Sequence, residues 1–226
     1  MILKVCGMRE AQNIRLVERL LLRTSSFGSK GEFELPLMGF IFFEKSPRNV
    51  VEVPSYLPMQ IGRVGVFVNP TEEFVVKKVN EFGLSHVQLH GSESRSFCRT
   101  LKELNNPFTN EPIKVLKALS IGDVKDVENA KMYDDPSLID YFVFDTKCSG
   151  YGGSGMQFDW QILANYTGNT PFLLSGGIKP DDASTLASFH HKRLAGYDVN
   201  SKFEIQPALK DTEKLEDFFN ALKKNN

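Results

Sequence analysis

Short apolar runs alternate with segments of helical periodicity along almost the whole chain. The runs have the length of β-strands, and the intervening segments place apolar residues at the spacing of amphipathic helices. Eight strand candidates cover residues 2–6, 38–43, 63–68, 86–90, 113–119, 139–145, 172–175 and 194–199. Helix candidates cover residues 11–23, 72–82, 94–104, 124–132, 160–165, 181–189 and 212–224.

This alternation predicts an α/β fold, specifically a (β/α)8 TIM barrel. Eight strands with intervening helices fit the usual size of such a barrel, and no linker divides the chain. We therefore expect residues 1–226 to form a single (β/α)8 barrel domain. A doubly wound open sheet is the alternative, but it seldom needs eight strands in so short a chain.

Two segments break the alternation. Residues 24–36 form a polar insertion rich in Gly and Ser before the second strand, and we interpret it as a surface loop without chemistry. Residues 50–61 contain two prolines and are too broken for a full helix. The second helix of the barrel is therefore expected to be shortened or missing.

Composition narrows the possible partners. The chain has 226 residues, 27 Lys and Arg against 28 Asp and Glu, and a net charge of -1. Nucleic acid and anionic membranes would both call for a basic excess, so neither is expected as a partner. No apolar run approaches the roughly 18 residues of a membrane span. The three cysteines lack metal-ligand spacing, which indicates a reduced, cytoplasmic protein without a metal site.

The first strand candidate ends in a thiol followed by a glycine. Ligands of parallel α/β proteins bind at the carboxyl ends of the strands, which is where Cys6 is expected. Side chains alternate between the faces of a strand, so Lys4 and Cys6 share one face. A lysine directly beneath a cysteine is an unusual choice for packing alone.

Other strand ends also carry chemically competent side chains. Arg48 follows the second strand, and its planar guanidinium suits a carboxylate or a phosphate. Alternation places His86, Gln88 and His90 on one face of the fourth strand. Asp145 ends an apolar sixth strand, where burial would raise its pKa and make it a candidate general acid.

Three loops are rich in small residues. The loop at 147–155 includes Gly153, Ser154 and Gly155, and Gly176-Gly177 and Asn200-Ser201 follow the seventh and eighth strands. Glycines let backbone N–H groups converge on an anion. Small residues after strands seven and eight form the usual phosphate cradle of phosphate-binding barrels. Together the loops predict a phosphate site.

Seven motifs, in this order along the chain, resemble those of the phosphoribosylanthranilate isomerase family. They are KVCGMR at 4–9, GFIFFEKSPR at 39–48, RVGVFVN at 63–69, VQLHG at 87–91, FDT with GYGGSG at 144–155, LSGGI at 174–178 and DVNSKFE at 198–204. One departure falls in the last motif, where Asn200-Ser201-Lys202 stands in place of the more usual Ser-Ser-Gly.

The resemblance implies roles for the strand-end residues. By it, Cys6 is the general base, Asp145 the general acid, and Arg48 the residue that holds the anthranilate part of the substrate. The glycine loop and the ends of strands seven and eight would grip the phosphate. Gln88, His90 and Asp198 lie within the matching motifs and complete the candidate substrate-binding residues, which are Arg48, Gln88, His90, Gly153, Ser154, Gly155, Gly176, Gly177, Asp198, Asn200 and Ser201.

The implied reaction is the Amadori rearrangement of an aminoaldose phosphate to an aminoketose phosphate in tryptophan biosynthesis. It consists of proton transfers on a small-molecule phosphosugar, so no metal or redox cofactor is expected. The protein is expected to be a monomer or a homodimer.

Acid–base catalysis here meets a protonation problem. With ordinary pKa values of about 3.9 for Asp and about 8.5 for Cys, the neutral acid and the thiolate coexist at pH 7 at a cost of about 6 kcal/mol. We expect burial to raise the pKa of Asp145, and Lys4 together with helix N-termini to lower that of Cys6. Strands one and eight are neighbours in a closed barrel, so Asp198 is the expected partner of Lys4.

Three other functions remain open on the residues alone. Indole-glycerol-phosphate synthase would need a catalytic lysine at a strand end, for which Lys117 is a weak candidate. A pentose-phosphate epimerase would need a metal-binding set of His and Asp residues. A catalytically silent phosphosugar-binding barrel would have no need for Cys6 and Asp145 together.

Overall fold

Eight parallel strands close into a barrel in the computed structural model, which describes residues 1–25, 35–147 and 157–225. The insertion is thus described only at its two ends. The barrel strands are β1 (Ile2–Val5), β2 (Leu37–Phe42), β3 (Gly62–Phe67), β4 (His86–Leu89), β5 (Lys114–Ile121), β6 (Tyr141–Thr146), β7 (Phe172–Leu174) and β8 (Leu194–Val199). Each begins and ends within two residues of its predicted bounds.

The barrel closes between its first and last strands. β1 pairs in parallel with both β2 and β8, and Lys4 lies opposite Asp198 in the β1–β8 register. The predicted (β/α)8 barrel is therefore confirmed, and the open sheet is wrong. This closure brings a residue near the start of the chain beside one almost two hundred positions later.

Three of the helices predicted in the second half of the chain are partly or wholly 3-10 helices, whereas the last helix has its predicted length to within one residue. The segment at 160–165 and the first turn at 180–182 form 3-10 helices, and residues 129–132 continue a single short α-helix as another 3-10 turn. The α-helices are α1 (Ala11–Ser25), α2 (Glu72–Phe82), α3 (Arg95–Leu101), α4 (Val124–Glu128), α5 (Ala183–Ser188) and α6 (Thr212–Asn225). No helix among the described residues is long and apolar enough to cross a membrane.

The second helix of the barrel, which was predicted to be shortened or missing, is missing. Residues 43–61, all of which the structure describes, contain no helix between β2 and β3. Pro54 and Pro58 cannot donate backbone hydrogen bonds, and Glu18 of α1 holds the segment instead. Its carboxylate accepts hydrogen bonds from the backbone N–H groups of Met59 (2.7 Å) and Gln60 (2.9 Å).

Apolar side chains pack in two separate layers. One cluster fills the barrel and includes Ile2, Cys6 and Val143. A larger cluster lies between the barrel and the surrounding helices and includes Phe82 and Leu215. The period-two alternation of each strand therefore sorts its side chains between a barrel interior and an outer layer.

A small hairpin between β8 and α6 was not predicted. β9 (Glu204–Gln206) and β10 (Leu209–Lys210) pair in antiparallel fashion, with Ala208 at a φ of 68° in the connecting turn. The two strands are too short to show a periodic signal in the sequence. The hairpin places Glu204 and Lys210 beside the mouth of the barrel.

Candidate active site

A pocket of about 440 Å³ opens where the carboxyl ends of the strands meet. Every candidate site residue within the described ranges lines it, namely Cys6, Arg48, Gln88, His90, Asp145, Gly176, Gly177, Asp198, Asn200 and Ser201. The other three candidates, Gly153, Ser154 and Gly155, lie outside the described residues. The strand ends thus converge as the barrel topology requires.

Cys6 follows the last residue of β1, and its thiol is buried against β2. A Cβ atom at Gly39 would lie 2.7 Å from the Cys6 Sγ atom, so only a glycine leaves room for the thiol there. Burial raises the pKa of Cys6 above its ordinary value, although the charges of Lys4 and Lys210 oppose the shift. The expectation of a net lowered pKa is therefore wrong, because burial outweighs the nearby cations.

Lys4 and Asp198 form the predicted ion pair inside the barrel. The Lys4 Nζ atom lies 2.9 Å from Asp198 Oδ2, and both side chains are buried. Burial disfavours the Lys4 ammonium, but the charges of Asp198 and Cys6 outweigh it and raise the pKa of Lys4. The other carboxylate oxygen, Asp198 Oδ1, is buried without a hydrogen-bond partner among the described residues.

Asp145 lies near the end of β6, with its carboxyl group buried in the pocket wall. Its Oδ1 atom accepts a hydrogen bond from the backbone N–H of Thr146 (2.8 Å), and its Oδ2 atom lies 3.3 Å from His90 Nε2. The second contact is close enough for an ion pair but lacks hydrogen-bond geometry, since His90 Nε2 has no hydrogen-bond partner among the described residues. Asp145 and His90 therefore present poorly satisfied polar atoms to the pocket.

The three polar residues in and directly after β4 are His86, Gln88 and His90, and they lie at different depths in the barrel. Gln88 and His90 line the pocket, and Gln88 Oε1 is buried without a hydrogen bond to any described residue. His86 lies deeper, and burial lowers its pKa to about 3, so that its imidazole is neutral. His86 Nδ1 is 2.8 Å from the hydroxyl of Ser85, which marks it as a structural residue.

Glu204 and Lys210, which the sequence did not single out as site residues, lie behind one wall of the pocket and contact the residues that line it. Arg48 contacts Glu204 of β9 through Nε, which lies 2.8 Å from Oε1, and through Nη2, which lies 2.6 Å from Oε2. The Lys210 Nζ atom of β10 lies 2.6 Å from Glu204 Oε1 and 2.7 Å from Asn200 Oδ1. Glu204 falls within the last matching motif, which was the one available signal.

A second wall of the pocket consists mostly of backbone. Gly176 and Gly177 have φ angles of 83° and 69°, which favour glycine. A Cβ atom at Gly176 would lie 2.5 Å from the backbone N of Thr146 and 3.2 Å from Asp145 Oδ1. Because Gly176 has no Cβ atom, the loop after β7 can pass directly over the end of β6. Such consecutive glycines can direct N–H groups toward an anion.

Lys117 does not belong to the pocket. Its Nζ atom lies 2.8 Å from Glu93 Oε2 and 2.6 Å from the carbonyl oxygen of Gly91, and its side chain is fully buried in the outer layer. Within the described ranges, no group of three or more His, Cys, Asp or Glu side chains is arranged to hold a metal ion.

Comparisons with known proteins agree on one family. A model described as N-(5'phosphoribosyl)anthranilate (PRA) isomerase matches residues 29–221. The N-(5'-phosphoribosyl)anthranilate isomerase of Phocaeicola vulgatus is 47% identical over 223 residues, which cover 99% of this chain and 98% of the relative. That of Parabacteroides distasonis is 44% identical over 96% of this chain and 91% of the relative. The chain belongs to the N-(5'-phosphoribosyl)anthranilate isomerase family.

Solved structures of the family share the whole fold. The phosphoribosylanthranilate isomerase from Thermotoga maritima matches with a TM-score of 0.74 at 27% identity, over 99% of this chain and all of that one. A structure of the enzyme in complex with reduced 1-(o-carboxyphenylamino)-1-deoxyribulose 5-phosphate matches with a TM-score of 0.73 at 26% identity, again over 99% and 100% of the two chains. That ligand carries a carboxylate at one end and a phosphate at the other.

Membership in the family confirms the predicted isomerase of tryptophan biosynthesis. It excludes the synthase, the epimerase and the silent barrel that the residues alone left open. In the synthase alternative Lys117 would have to reach the pocket, and its position in the outer layer agrees with the exclusion.

Proposed function

We propose that this member of the family converts N-(5-phosphoribosyl)anthranilate to 1-(2-carboxyphenylamino)-1-deoxyribulose 5-phosphate, with Cys6 as general base and Asp145 as general acid. The observation that carries this proposal is that both side chains line the same pocket as Arg48. A thiol, a carboxyl group and a guanidinium at one barrel mouth match an acid–base rearrangement of a carboxylated substrate.

The proton transfers follow from these positions. Asp145 protonates the ring oxygen of the ribose and opens the ring to a Schiff base. Cys6 then removes the proton from the carbon next to the imine, which gives an enolamine that tautomerises to the ketone. After these two steps Asp145 is a carboxylate and Cys6 is a thiol. The tautomerisation adds one proton at C1 and releases one from the C2 hydroxyl, so both groups return to their starting states and no further reactant is consumed.

The raised pKa of Cys6 implies that the thiol is protonated in the free enzyme at neutral pH. Ionisation then accompanies substrate binding, when the charges of Lys4 and Lys210 act on the forming thiolate. Closing a site excludes water and strengthens such charge interactions. Lys4 is already oriented by Asp198, so its charge needs no rearrangement to act.

Two walls of the pocket suit the two charged ends of the substrate. Arg48 can hold the carboxylate of the anthranilate moiety through its planar fork. The backbone of Gly176 and Gly177, with Ser201, is the candidate phosphate grip. Gly153, Ser154 and Gly155 stay predicted members of this grip. Asn200 lines the pocket, but its Oδ1 atom is bound to Lys210, so its amide N–H2 group is the part that we assign to the substrate.

Three broader expectations stay proposals. We propose that residues 1–226 form one domain, which the β1–β8 pairing supports. A cytoplasmic location is supported by the free thiols of Cys6 and Cys98. A monomeric or homodimeric state remains our expectation.

The decisive experiment follows the loss of anthranilate fluorescence from freshly prepared phosphoribosylanthranilate. We expect Cys6→Ala and Asp145→Asn each to lower kcat/KM by about 10²- to 10⁴-fold, because each removes one proton-transfer group. Cys98→Ala is the matched control, since Cys98 is a buried thiol of the outer layer and lies outside the pocket. Near-wild-type turnover in either test variant would contradict the corresponding role.

A further inference from the structure

Three charged side chains beside the pocket form a cluster that neither donates nor accepts a proton in the proposed reaction. The cluster consists of Arg48, Glu204 and Lys210, and all three side chains are nearly or fully buried. Glu204 lies between the two cations and also accepts a hydrogen bond from the backbone N–H of Ala208 (3.1 Å). Since buried charges are costly unless they are paired, such an arrangement at a substrate pocket needs a reason.

Glu204 occupies one edge of the Arg48 guanidinium. Nε and Nη2 both contact the Glu204 carboxylate, at 2.8 Å and 2.6 Å. A guanidinium presents its donors in a rigid plane, so a carboxylate bound along one edge fixes the direction of the remaining donors. Arg48 Nη1 makes no hydrogen bond to another described residue, and Arg48 lines the pocket. The second edge is therefore held in place for a ligand.

Lys210 prevents Glu204 from neutralising Arg48. The Glu204 carboxylate lies 2.6 Å from the Lys210 Nζ atom and shares its negative charge between two cations. Burial acts to raise the pKa of Glu204, but Arg48 and Lys210 outweigh it and hold that pKa below its usual range. The ionised cluster therefore keeps a surplus positive charge, which attracts an anionic group of a substrate.

Lys210 also holds a second pocket residue. Its Nζ atom lies 2.7 Å from Asn200 Oδ1 and 3.3 Å from the Asn200 carbonyl oxygen. Arg48 and Asn200 both pack closely against Gly7, the residue after Cys6. A Cβ atom added at Gly7 would lie 2.7 Å from Arg48 Cδ and 2.6 Å from Asn200 Oδ1. The cluster thus fixes two pocket side chains against the backbone next to the thiol.

We propose that Glu204 and Lys210 are positioning residues for the carboxylated end of the substrate. Glu204 orients the free edge of Arg48, and Lys210 offsets the charge of Glu204 while it turns the amide of Asn200 toward the pocket. This inference rests on the proposed function, because it assigns the anion at this wall to the carboxylate of the aromatic ring. The phosphate would lie at Gly176, Gly177 and Ser201, to which Arg48, Glu204 and Lys210 make no side-chain hydrogen bond within the described ranges.

The test compares two competing ligands in the full-length enzyme. Free anthranilate probes the Arg48 wall and inorganic phosphate probes the glycine wall, each as a competitive inhibitor and by calorimetry without turnover. We expect Glu204→Gln to raise KM and the anthranilate inhibition constant by about tenfold, since the loss of one charged hydrogen-bond partner has this order of effect. The phosphate inhibition constant and kcat should change by no more than about twofold or threefold.

Lys210 provides a second and independent pair of variants. Lys210→Met should weaken anthranilate binding by about tenfold, whereas Lys210→Arg keeps the charge and should restore most of it. Glu93→Gln is the matched control, because it removes a buried carboxylate paired with a lysine that lies away from the pocket. This control should lower the melting temperature and leave the ratio of the two inhibition constants unchanged.

Each outcome bears on a single claim. Equal losses of anthranilate and phosphate affinity in Glu204→Gln, or no rescue by Lys210→Arg, would overturn the positioning role while wild-type turnover upholds the proposed function. Unaltered anthranilate affinity in both Glu204→Gln and Lys210→Met would overturn it as well. Failure of the proposed function itself would show differently, as a wild-type protein without isomerase activity.

Discussion

Two buried lysine–carboxylate pairs distinguish the inside of the barrel from the layer around it. Lys4–Asp198 lies within the barrel beneath Cys6, and Lys117–Glu93 lies in the outer layer. The pairs have nearly the same Nζ–O distance, 2.9 Å and 2.8 Å, and all four side chains are nearly or fully buried. By distance and burial alone they would be judged equivalent.

The outer pair has its hydrogen-bonding capacity filled. Glu93 Oε1 accepts from the backbone N–H groups of Asn69 (2.9 Å) and Gly91 (3.0 Å), and Oε2 accepts from Lys117. Lys117 donates to the carbonyl oxygen of Gly91 as well and lies over the ring of Tyr133, at 5.5 Å from its centroid. An ion pair whose hydrogen-bonding groups all have partners joins strands to their loops and has no free donor or acceptor for a ligand.

The inner pair is incomplete. Asp198 Oδ1 has no hydrogen-bond partner among the described residues, and the charge of Lys4 acts on the thiol of Cys6. Both Cys6 and Asp198 line the pocket. An unsatisfied buried carboxylate oxygen is costly, so it is expected where a substrate completes the set. The difference between the pairs therefore lies in what remains unpaired.

The largest effect is expected when the lysine is removed from each pair. Lys4→Met and Lys117→Met should each lower the free energy of unfolding by about 3–5 kcal/mol, because each leaves a buried carboxylate without its partner. Denaturant unfolding measures both. Only Lys4→Met should also lower kcat/KM and raise the pKa of Cys6, since Lys4 acts to lower that pKa.

Thiolate absorbance as a function of pH, recorded in a background that carries both Cys98→Ala and Cys148→Ala, measures the second effect. An unchanged Cys6 pKa in Lys4→Met would remove Lys4 from the chemistry. An equal loss of activity per folded molecule in Lys117→Met would abolish the distinction between the pairs.

A smaller effect is expected from two glycines with positive φ. Gly176→Ala and Gly83→Ala should each destabilise the fold by about 1–3 kcal/mol, because both residues have left-handed backbone angles of 83° and 57°. Gly176 packs against Thr146 and Asp145, whereas Gly83 ends α2 and faces the exposed ring of Phe108. We expect only Gly176→Ala to lower kcat/KM, by about tenfold to a hundredfold, through displacement of Asp145.

Melting temperatures and kcat/KM of the two glycine variants give the comparison directly. If Gly83→Ala impairs turnover as much as Gly176→Ala does, the loss reflects general destabilisation.

The smallest effect concerns the pH dependence of a third buried lysine. Burial lowers the pKa of Lys210 to about 8, although Glu204 opposes the shift. As the pH rises through about 8, the ammonium loses its proton and the cluster with Arg48 loses its surplus positive charge. KM should therefore rise a few-fold toward alkaline pH. Among the groups facing Lys210, Glu204 titrates at lower pH and Cys6 at higher pH.

Steady-state kinetics between neutral and alkaline pH test this dependence. The Lys210→Arg variant is the control, because arginine stays charged and its KM should be flat over the same interval. A wild-type KM that does not change across the interval would contradict the assignment of a titrating charge to Lys210.

Much of the barrel could be predicted from the sequence because strands and the residues that follow them have recognisable local sequence patterns. Apolar runs of strand length predicted all eight strands, and alternation placed Lys4 on the same face as Cys6. Closure of the barrel then implied the Lys4–Asp198 pair, which the structure confirms. The two prolines in 50–61 were likewise sufficient to predict a missing helix.

The net direction of the Cys6 pKa shift could not be predicted from the sequence in this way. Whether Cys6 has a raised or a lowered pKa depends on how burial compares with the charges of Lys4 and Lys210, and burial is a property of the packed structure. That Lys117 lies in the outer layer, away from the pocket, could be seen only in the three-dimensional structure.

By itself, then, the sequence determined the strand order, the family motifs and the residues at the strand ends, since each depends on local periodicity or on neighbours in the chain. Only the tertiary structure revealed the β9–β10 hairpin, which carries Glu204 and Lys210 to the wall behind Arg48. Strands of three and two residues have no periodic signal of their own. The partners of their charged side chains, Arg48 and Asn200, follow strands β2 and β8, which only the closed barrel brings together.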